Sequence, residues 1–208
     1  MWINRPIVVA PVVGFLLGAL DFVWIKFVPF PFGGLGNSIA VWAVAAFLLT
    51  FLSRHRMVPA VAGAVGMLIV AVPAYYLAAW LIQNDDLANM WSDYARLWMG
   101  LGVVAGIVFG LGGVLARTAG RWRVPAMGLP ASVLFAEAVI DLARIGDPSY
   151  RTGELVEYAV LLATLSVLTT VFVVRKAREN GKAVAVALAC AVPLAAGGHV
   201  LLNATGFQ

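Results

Sequence analysis

Long apolar stretches separated by short polar segments occupy almost the whole chain. Most of them reach the ~20 residues that an α-helix needs to cross the ~30 Å hydrocarbon layer of a membrane. Their apolar residues are continuous rather than alternating, which disfavours the strands of an outer-membrane barrel. We therefore predict an all-α polytopic membrane bundle of seven transmembrane helices, or six if the short stretch 39–53 does not span. The stretches are residues 7–27, 39–53, 58–82, 95–117, 124–143, 154–175 and 182–202.

The connections between these stretches are short throughout the chain. The longest are residues 28–38, rich in proline, phenylalanine and glycine, and residues 83–94, rich in aspartate and asparagine. Neither is long enough to form a second hydrophilic domain. We therefore expect residues 1–208 to form a single transmembrane domain.

The composition agrees with a membrane protein and excludes several other classes. Hydrophobic residues make up 62% of the chain and charged residues 12%, whereas a soluble domain is roughly half apolar and about a quarter charged. A soluble globule, a disordered chain and a nucleic-acid-binding protein are therefore disfavoured. The net charge of +4 is better explained by basic loops next to an anionic inner leaflet.

The basic residues are divided unevenly between the two sets of helix ends. If the N-terminus is cytoplasmic, ten of the 14 lysines and arginines lie at inner ends and four at outer ends. This asymmetry follows the positive-inside rule and favours an odd number of spans. We predict a multi-pass protein of the bacterial cytoplasmic (inner) membrane, with a cytoplasmic N-terminus and an outside C-terminus. The inner basic residues are Arg5, Arg54, Arg56, Arg117, Arg121, Arg123, Arg175, Lys176, Arg178 and Lys182.

Small residues recur at four-residue spacing in two of the stretches. Gly14 and Gly18 form one pair, and Gly102, Gly106 and Gly110 form a longer stripe. Such stripes let helix backbones approach closely. We expect them to pack within the bundle, with a homodimer face as the alternative, so the protein is predicted to be a monomer or a weak homodimer.

Several ionisable side chains fall inside the apolar stretches at similar depths. With the predicted orientation and a rise of 1.5 Å per residue, they share one layer in the outer half of the membrane. Ionisable groups at such depth are costly to bury, usually face the interior and mark functional sites. The candidate catalytic residues are Glu137, Asp141, Asp21, Glu157 and His199.

Glu137 is the leading candidate because apolar residues flank it on both sides. Asp141 lies one helical turn further on, on the same face, and two such carboxylates are not expected to be ionised together in a low dielectric. At least one should stay protonated and able to act as an acid. Alternatives stay open for two of these acids: Asp141 could simply pair with Arg144, and Asp21 could pair with Lys26 or cap a neighbouring helix.

Aromatic residues populate the same outer layer. An interfacial aromatic belt would explain many of them, but the inner side has far fewer, so an aromatic-walled cavity beside the acids is the sharper alternative. The candidate substrate-binding residues are Phe22, Trp24, Tyr75, Tyr76, Trp80, Trp98, Phe135, Tyr158 and Asn203.

The sequence contains no phosphate-binding loop or dinucleotide fingerprint, and two histidines with one cysteine do not make a usual zinc site. We expect no metal and no cofactor. Metal-free acid chemistry on an apolar substrate fits better. A protonated carboxyl would protonate an alkene or epoxide, aromatic faces would stabilise the carbocation, and a second carboxylate or the histidine would take the final proton. The same buried acids could instead serve proton-coupled transport.

Several short segments resemble a small actinobacterial-type family of integral membrane proteins, most of whose members have no assigned function. They are Ala40–Trp42 after Asn37-Ser38, Tyr75-Tyr76-Leu77-Ala78, and Gly102-x3-Gly106-x2-Phe109-Gly110 followed by Glu137.

In size, number of spans and intramembrane acids, the chain is also similar to small membrane-bound terpene cyclases. These include fungal meroterpenoid cyclases and bacterial drimentine-type enzymes, which cyclise a farnesyl chain on an indole-containing cyclodipeptide. The fungal enzymes use two membrane-embedded acidic residues. The resemblance implies that Glu137, with Asp21 or Asp141, plays those parts here.

Together these observations predict a class II-type terpene cyclase in the membrane. Its partners would be an apolar prenylated small molecule and the lipid bilayer, and not nucleic acid. A proton-coupled small-molecule transporter is the alternative, and a non-catalytic membrane interaction protein is the second alternative.

Overall fold

We describe the protein from a computed structural model. The structure describes the backbone of residues 6–53 and 55–204 and the side chains of residues 9–36, 38–53 and 55–193. Eight α-helices and two short 3-10 helices form this part of the chain, which confirms the prediction of an all-α fold. The helices are α1 (Pro6–Phe27), α2 (Ile39–Leu52), α3 (Met57–Gln83), α4 (Asp93–Arg117), α5 (Arg123–Met127), α6 (Leu129–Ala143), α7 (Thr152–Lys176) and α8 (Lys182–Ala204).

Within the described residues, four helices are long and apolar enough to cross a membrane. They are α1 over Val9–Phe27, α3, α4 and α7. The helix α2 is shorter than the ~20 residues of a straight span, as are α5 and α6 taken singly. These four helices make the chain a helical membrane protein in character.

The apolar stretch 124–143 is divided into two helices, where a single helix was expected. The break lies at Gly128, between α5 and α6. Pro130 has no backbone N–H and so cannot bond to the carbonyl four residues earlier, which interrupts the hydrogen-bond ladder at this point. The carbonyl of Gly128 accepts the amide of Ser132 at 2.9 Å, and the regular helix resumes there.

The helix α2 lies at the centre of the bundle. On one side it packs against α3 and α4, and α1 packs against α3. On another side it packs against α6, and α7 and α8 pack against α6. A buried core cluster around Phe47, Phe51, Met127 and Val173 ties α2 to α5 and α7. The central position of α2 places its N-terminus between the two groups of helices.

The glycine stripes pack inside the chain, as the spacing predicted. Gly14 and Gly18 of α1 lie against the backbone of Met67 and Ala71 in α3. Gly106 of α4 lies against α3 from the other side, beside Val65. These contacts explain the stripes without a second copy of the chain, and the oligomeric state stays a prediction.

Side-chain contacts hold three connecting segments together at one end of the bundle. Arg117 at the end of α4 donates to the carbonyl of His55, between α2 and α3. Arg123 donates to the carbonyl of Ala177 at 2.6 Å and pairs with Glu179 at 3.1 Å, both between α7 and α8. The segments that carry most of the basic residues therefore share one end.

The opposite end is closed by the segment after α1. The indole of Trp24 donates to the carbonyl of Phe32 at 2.7 Å, and Lys26 approaches the carbonyl of Ile82 at 3.4 Å. This segment continues as a glycine-rich 3-10 helix, Phe32–Asn37, which contacts both α1 and α7. It covers the N-terminus of α2, where the candidate site lies.

Candidate functional site

The carboxyl group of Glu137 in α6 joins three elements near the N-terminus of α2. Its Oε2 accepts the backbone N–H of Ala40 at 2.9 Å, and its Oε1 lies 2.9 Å from the hydroxyl of Tyr158 in α7. The hydroxyl of Ser38, the N-cap of α2, also lies beside this carboxyl group. The Glu137 carboxyl is therefore held by polar groups from α2 and α7, although apolar residues flank Glu137 in sequence.

The position of the Tyr158 hydroxyl bears on where the proton of this cluster lies. Besides Glu137, the hydroxyl lies 3.1 Å from the carbonyl oxygen of Gly34. A phenol carries one proton and cannot donate to both oxygens. If Glu137 is protonated, it donates to Tyr158, Tyr158 donates to Gly34, and every group is satisfied. We call Glu137, Tyr158, Ala40 and Gly34 the carboxyl cluster.

The glycine-rich segment is shaped to make this contact. A Cβ on Gly34 would collide with the ring of Tyr158, and a Cβ on Gly36 would collide with Ile25 and the backbone of Asp21. The ring of Phe30 also lies against Tyr158, with 6.3 Å between ring centres. Only a residue without a side chain at Gly34 lets the segment approach Tyr158 closely enough for the hydrogen bond.

In contrast to the half-buried Glu137, Asp21 in α1 is a buried carboxyl. Only 9% of its surface is exposed. The indole of Trp42 in α2 faces it, and Tyr75 of α3 lies nearby. Lys26 points to the carbonyl of Ile82 instead, so the alternative pairing of Asp21 with Lys26 is not the contact that the structure shows.

Asp141 forms the ion pair that the sequence offered as its alternative role. Its Oδ1 lies 2.9 Å from the guanidinium of Arg144, one turn further along at the end of α6. Asp141 is buried, whereas the Arg144 side chain is 44% exposed. Asp141 is thus anchored to a cation, unlike Glu137 and Asp21.

Four carboxyl groups of the described residues form ion pairs, and Glu137 and Asp21 are not among them. Each pair joins an acidic residue to an arginine, and the pairs are Arg96–Asp93, Arg123–Glu179, Arg144–Asp141 and Arg151–Glu154. In this part of the chain, neither Glu137 nor Asp21 has such a partner. Protonation of Glu137 or Asp21 is therefore not opposed by a cation bound to the carboxyl group.

The remaining polar candidates lie apart from the carboxyl cluster. Glu157 is exposed on α7, although its neighbour Tyr158 points to Glu137. His199 and Asn203 lie in α8, outside the side chains that the structure describes. Their suggested roles stay predictions.

The chain belongs to the family of unknown function DUF6518. The family model matches residues 3–205, almost the whole chain. No curated protein and no solved structure matches it. Membership of DUF6518 brings no activity with it, so function has to be inferred from the carboxyl groups and their surroundings.

The aromatic candidates divide into a packed set and an exposed set. Tyr75 packs edge-to-face against Phe22 and against Tyr76, with 5.3 and 5.6 Å between the ring centres. Trp24 and Trp80 are 43% and 42% exposed, as expected for an interfacial belt. The packed set joins α1 to α3, and its member Tyr75 lies near Asp21.

Two further aromatic candidates lie elsewhere. Trp98 pairs edge-to-face with Tyr94 in α4, at 6.0 Å between ring centres. Phe135 is half-buried on α6, two residues before Glu137. The structure therefore does not gather all the candidate substrate-binding residues around one point, and a role in substrate binding stays a prediction for each.

Some members of the site were not identified from the sequence. Ala40 contributes only a backbone N–H, and Gly34 only a carbonyl, so neither has a side chain that could signal a role. Trp42 belongs to the segment Ala40–Trp42, which carries part of the family resemblance, yet nothing in the sequence linked Trp42 to Asp21. Ser38 was recognisable as a helix N-cap, but not as a neighbour of Glu137.

Proposed function

We propose that this protein is a membrane-embedded acid catalyst in which Glu137 donates the proton. The reaction we propose is the class II-type cyclisation of an apolar prenylated substrate, such as one that carries a farnesyl chain. One observation supports this most: the Glu137 carboxyl is half-buried, with hydrogen-bond partners for both oxygens and, among the described residues, no cation. Such surroundings favour a carboxylic acid that keeps its proton until a substrate takes it.

The chemistry balances with side chains alone. The proton of Glu137 forms a new C–H bond at an alkene, or opens an epoxide, and leaves a carbocation on the neighbouring carbon. A second alkene of the chain attacks this cation, which closes a ring, and a base removes a proton from the final cation. Asp141, Asp21 and His199 are the candidates for that base. The product is an isomer of the substrate with unchanged mass.

The aromatic residues would stabilise the cation and keep water away. Aromatic faces attract cations through their quadrupole. The Tyr158 hydroxyl lies directly beside the donor, and Tyr75, which packs against Phe22 and Tyr76, lies near Asp21. A prenyl chain is apolar enough to reach such a site from the bilayer.

Replacement of Tyr158 with Phe tests whether the carboxyl cluster acts as a unit. The change leaves the Gly34 carbonyl without its donor, and an unsatisfied buried polar group costs about 1–3 kcal/mol. We expect lower thermal stability and an effect that is not additive with that of Glu137→Gln in a double-mutant cycle. Tyr94→Phe is the control, because the Tyr94 side chain is 62% exposed. Full additivity of the two changes would show that the cluster is not coupled.

A proton-coupled transporter is the second proposal. It is supported by the location of Asp21 in α1 and Glu137 in α6, which belong to the two different groups of helices around α2. Helices that carry separate proton sites around a central element suit a protein that exposes them in turn. Proteoliposomes separate the two proposals: a transporter carries protons when a solute gradient is imposed, whereas a cyclase turns over its substrate without any flux.

A purely structural role is the third proposal. The bond from the Ala40 amide to Glu137 is also what a cap on α2 would make, because a carboxylate near a helix N-terminus is favourable. In that case Glu137 would be ionised, and a neutral side chain there would destabilise the protein. The stability of Glu137→Gln separates this role from catalysis.

We further propose seven spans with the orientation that the basic residues favour. The helices α5 and α6 would form one interrupted span around Gly128, and α2 would form a short one. The basic segments that share one end of the bundle would face the cytoplasm of a bacterial inner membrane. The segment between α3 and α4 would then lie outside.

Cysteine labelling tests this topology. In a Cys190→Ser background, Asp86→Cys should react with a membrane-impermeant thiol reagent in intact spheroplasts. Arg121→Cys should react only after the membrane is made permeable. The two positions serve as each other's control, since both lie in polar connecting segments. Labelling of Arg121→Cys alone in intact spheroplasts would reverse the orientation, and labelling of both or neither before permeabilisation would contradict the seven-span topology.

A further inference from the structure

A groove on the surface of α7 combines apolar and basic residues on one helical stripe. It has a volume of about 470 Å³ and is lined by Leu168, Val171, Phe172, Arg175 and Lys176. These positions are spaced three and four apart and so lie on one face of the helix. The apolar residues come first and the two basic residues lie at the last turn of α7.

The two basic side chains are not occupied in capping α7. The last carbonyls of the helix accept backbone amides instead: Arg178 donates to the carbonyl of Arg175 at 3.0 Å, and Glu179 donates to that of Val174 at 3.1 Å. Arg178 has a φ of 60°, and these bonds form a Schellman ending. The side chains of Arg175 and Lys176 are therefore available for another partner.

The neighbouring acid does not neutralise them. Glu179 pairs with Arg123 at 3.1 Å. Among the described residues, Arg175 and Lys176 have no acidic partner, and both are exposed. A stripe with two free positive charges at its end is complementary to a ligand that is negative at one end and apolar along the rest.

The stripe is short enough to lie within one leaflet of a bilayer. From Leu168 to Arg175 the helix rises about 10 Å, whereas half of the hydrocarbon layer is about 15 Å thick. A chain that lies along Leu168 and Phe172 would bring its headgroup to Arg175 and Lys176. A free phosphate would leave the apolar part of the groove unused.

We propose that this groove on α7 is a binding site for an anionic phospholipid. The acyl chain lies along Leu168, Val171 and Phe172, and the headgroup phosphate contacts Arg175 and Lys176. The assignment of the lipid to the cytoplasmic leaflet rests on the proposed orientation, but the site itself does not.

Native mass spectrometry of the full chain tests the site. The protein, released from nanodiscs of phosphatidylcholine and phosphatidylglycerol, should retain phosphatidylglycerol preferentially. Each basic residue at an anionic membrane surface strengthens binding by about fivefold. The double variant Arg175→Gln with Lys176→Gln should therefore lower the preference about 25-fold. Arg175→Lys should keep the preference, because the charge is preserved.

A variant with the same loss of charge away from the groove provides the control. Arg56→Gln with Arg121→Gln removes two exposed basic residues from other segments at the same end. If this control loses as much preference as the groove variant, only general surface charge is involved and the site is refuted. An unchanged preference in the groove variant, or displacement of the lipid by inorganic phosphate, would also refute it. Because the adducts are measured without reference to sidedness, a wrong orientation would show in the cysteine labelling and not here.

Discussion

Glu137→Gln should abolish conversion of a prenylated substrate while the protein still folds. A general acid contributes about 10²–10⁴-fold to a rate, and a side-chain amide has no proton to give. The amide of Gln can nevertheless replace a protonated carboxyl in the cluster. Its oxygen would accept the Ala40 amide, and its NH₂ would donate to Tyr158. Turnover and thermal unfolding are therefore measured on the same preparation.

Glu154→Gln is the matched control for this substitution. Glu154 is exposed on α7 and pairs only with Arg151, at 3.2 Å. Exposed pairs contribute little to stability, so this variant should match the wild type in both measurements. Full activity of Glu137→Gln would remove Glu137 from the mechanism. Loss of stability in Glu137→Gln, with the control unchanged, would favour the structural role as a cap on α2.

Gly113→Ala should produce the largest loss of stability among single-methyl substitutions in α4. A Cβ at this position would collide with the Thr50 hydroxyl and the Phe47 carbonyl, and would lie 2.9 Å from the amide nitrogen of Phe51. Overpacking of a tight interface costs about 1–3 kcal/mol, and here rigid backbone of the central helix α2 would have to move. Thermal unfolding in detergent measures the effect.

Gly100→Ala provides the control in the same helix. No atom lies within 4 Å of a Cβ at Gly100, and alanine favours helices over glycine by roughly 0.5–1 kcal/mol. We expect this variant to be as stable as the wild type or slightly more stable. If Gly113→Ala were equally well tolerated, the close contact between α2 and α4 would not be present in the protein.

The helices were predictable because each is an apolar run bounded by recognisable signals. Ser38 is the N-cap of α2, where its hydroxyl accepts the amide of Val41 at 3.2 Å, and the glycine stripes lie at helix contacts as their spacing indicated. The break at Gly128 was missed, because an uninterrupted apolar run hides the effect of Pro130 on the backbone. The count of spans and the sidedness are not determined by helix positions alone.

The candidate site was predictable only in its acids. An ionisable residue inside an apolar run is visible in one dimension, which identified Asp21 and Glu137. Their partners come from distant segments: Ala40 is 97 residues from Glu137 in sequence. Backbone groups such as the Gly34 carbonyl leave no trace in residue type. Which side chains meet is decided by helix rotation and by the path of the glycine-rich segment, and neither follows from hydrophobic pattern.

Deuterium incorporation tests the central claim most directly. Membranes that contain the protein are incubated in D₂O with farnesylated compounds, including indole-containing cyclodipeptides, and the products are analysed by mass spectrometry. If Glu137 protonates an alkene and initiates cyclisation, a cyclised isomer appears that carries one deuterium gained from the exchanged carboxyl group, and Glu137→Gln membranes do not form it. An isomer without deuterium, or the same yield of labelled product from Glu137→Gln membranes, would contradict the proposal.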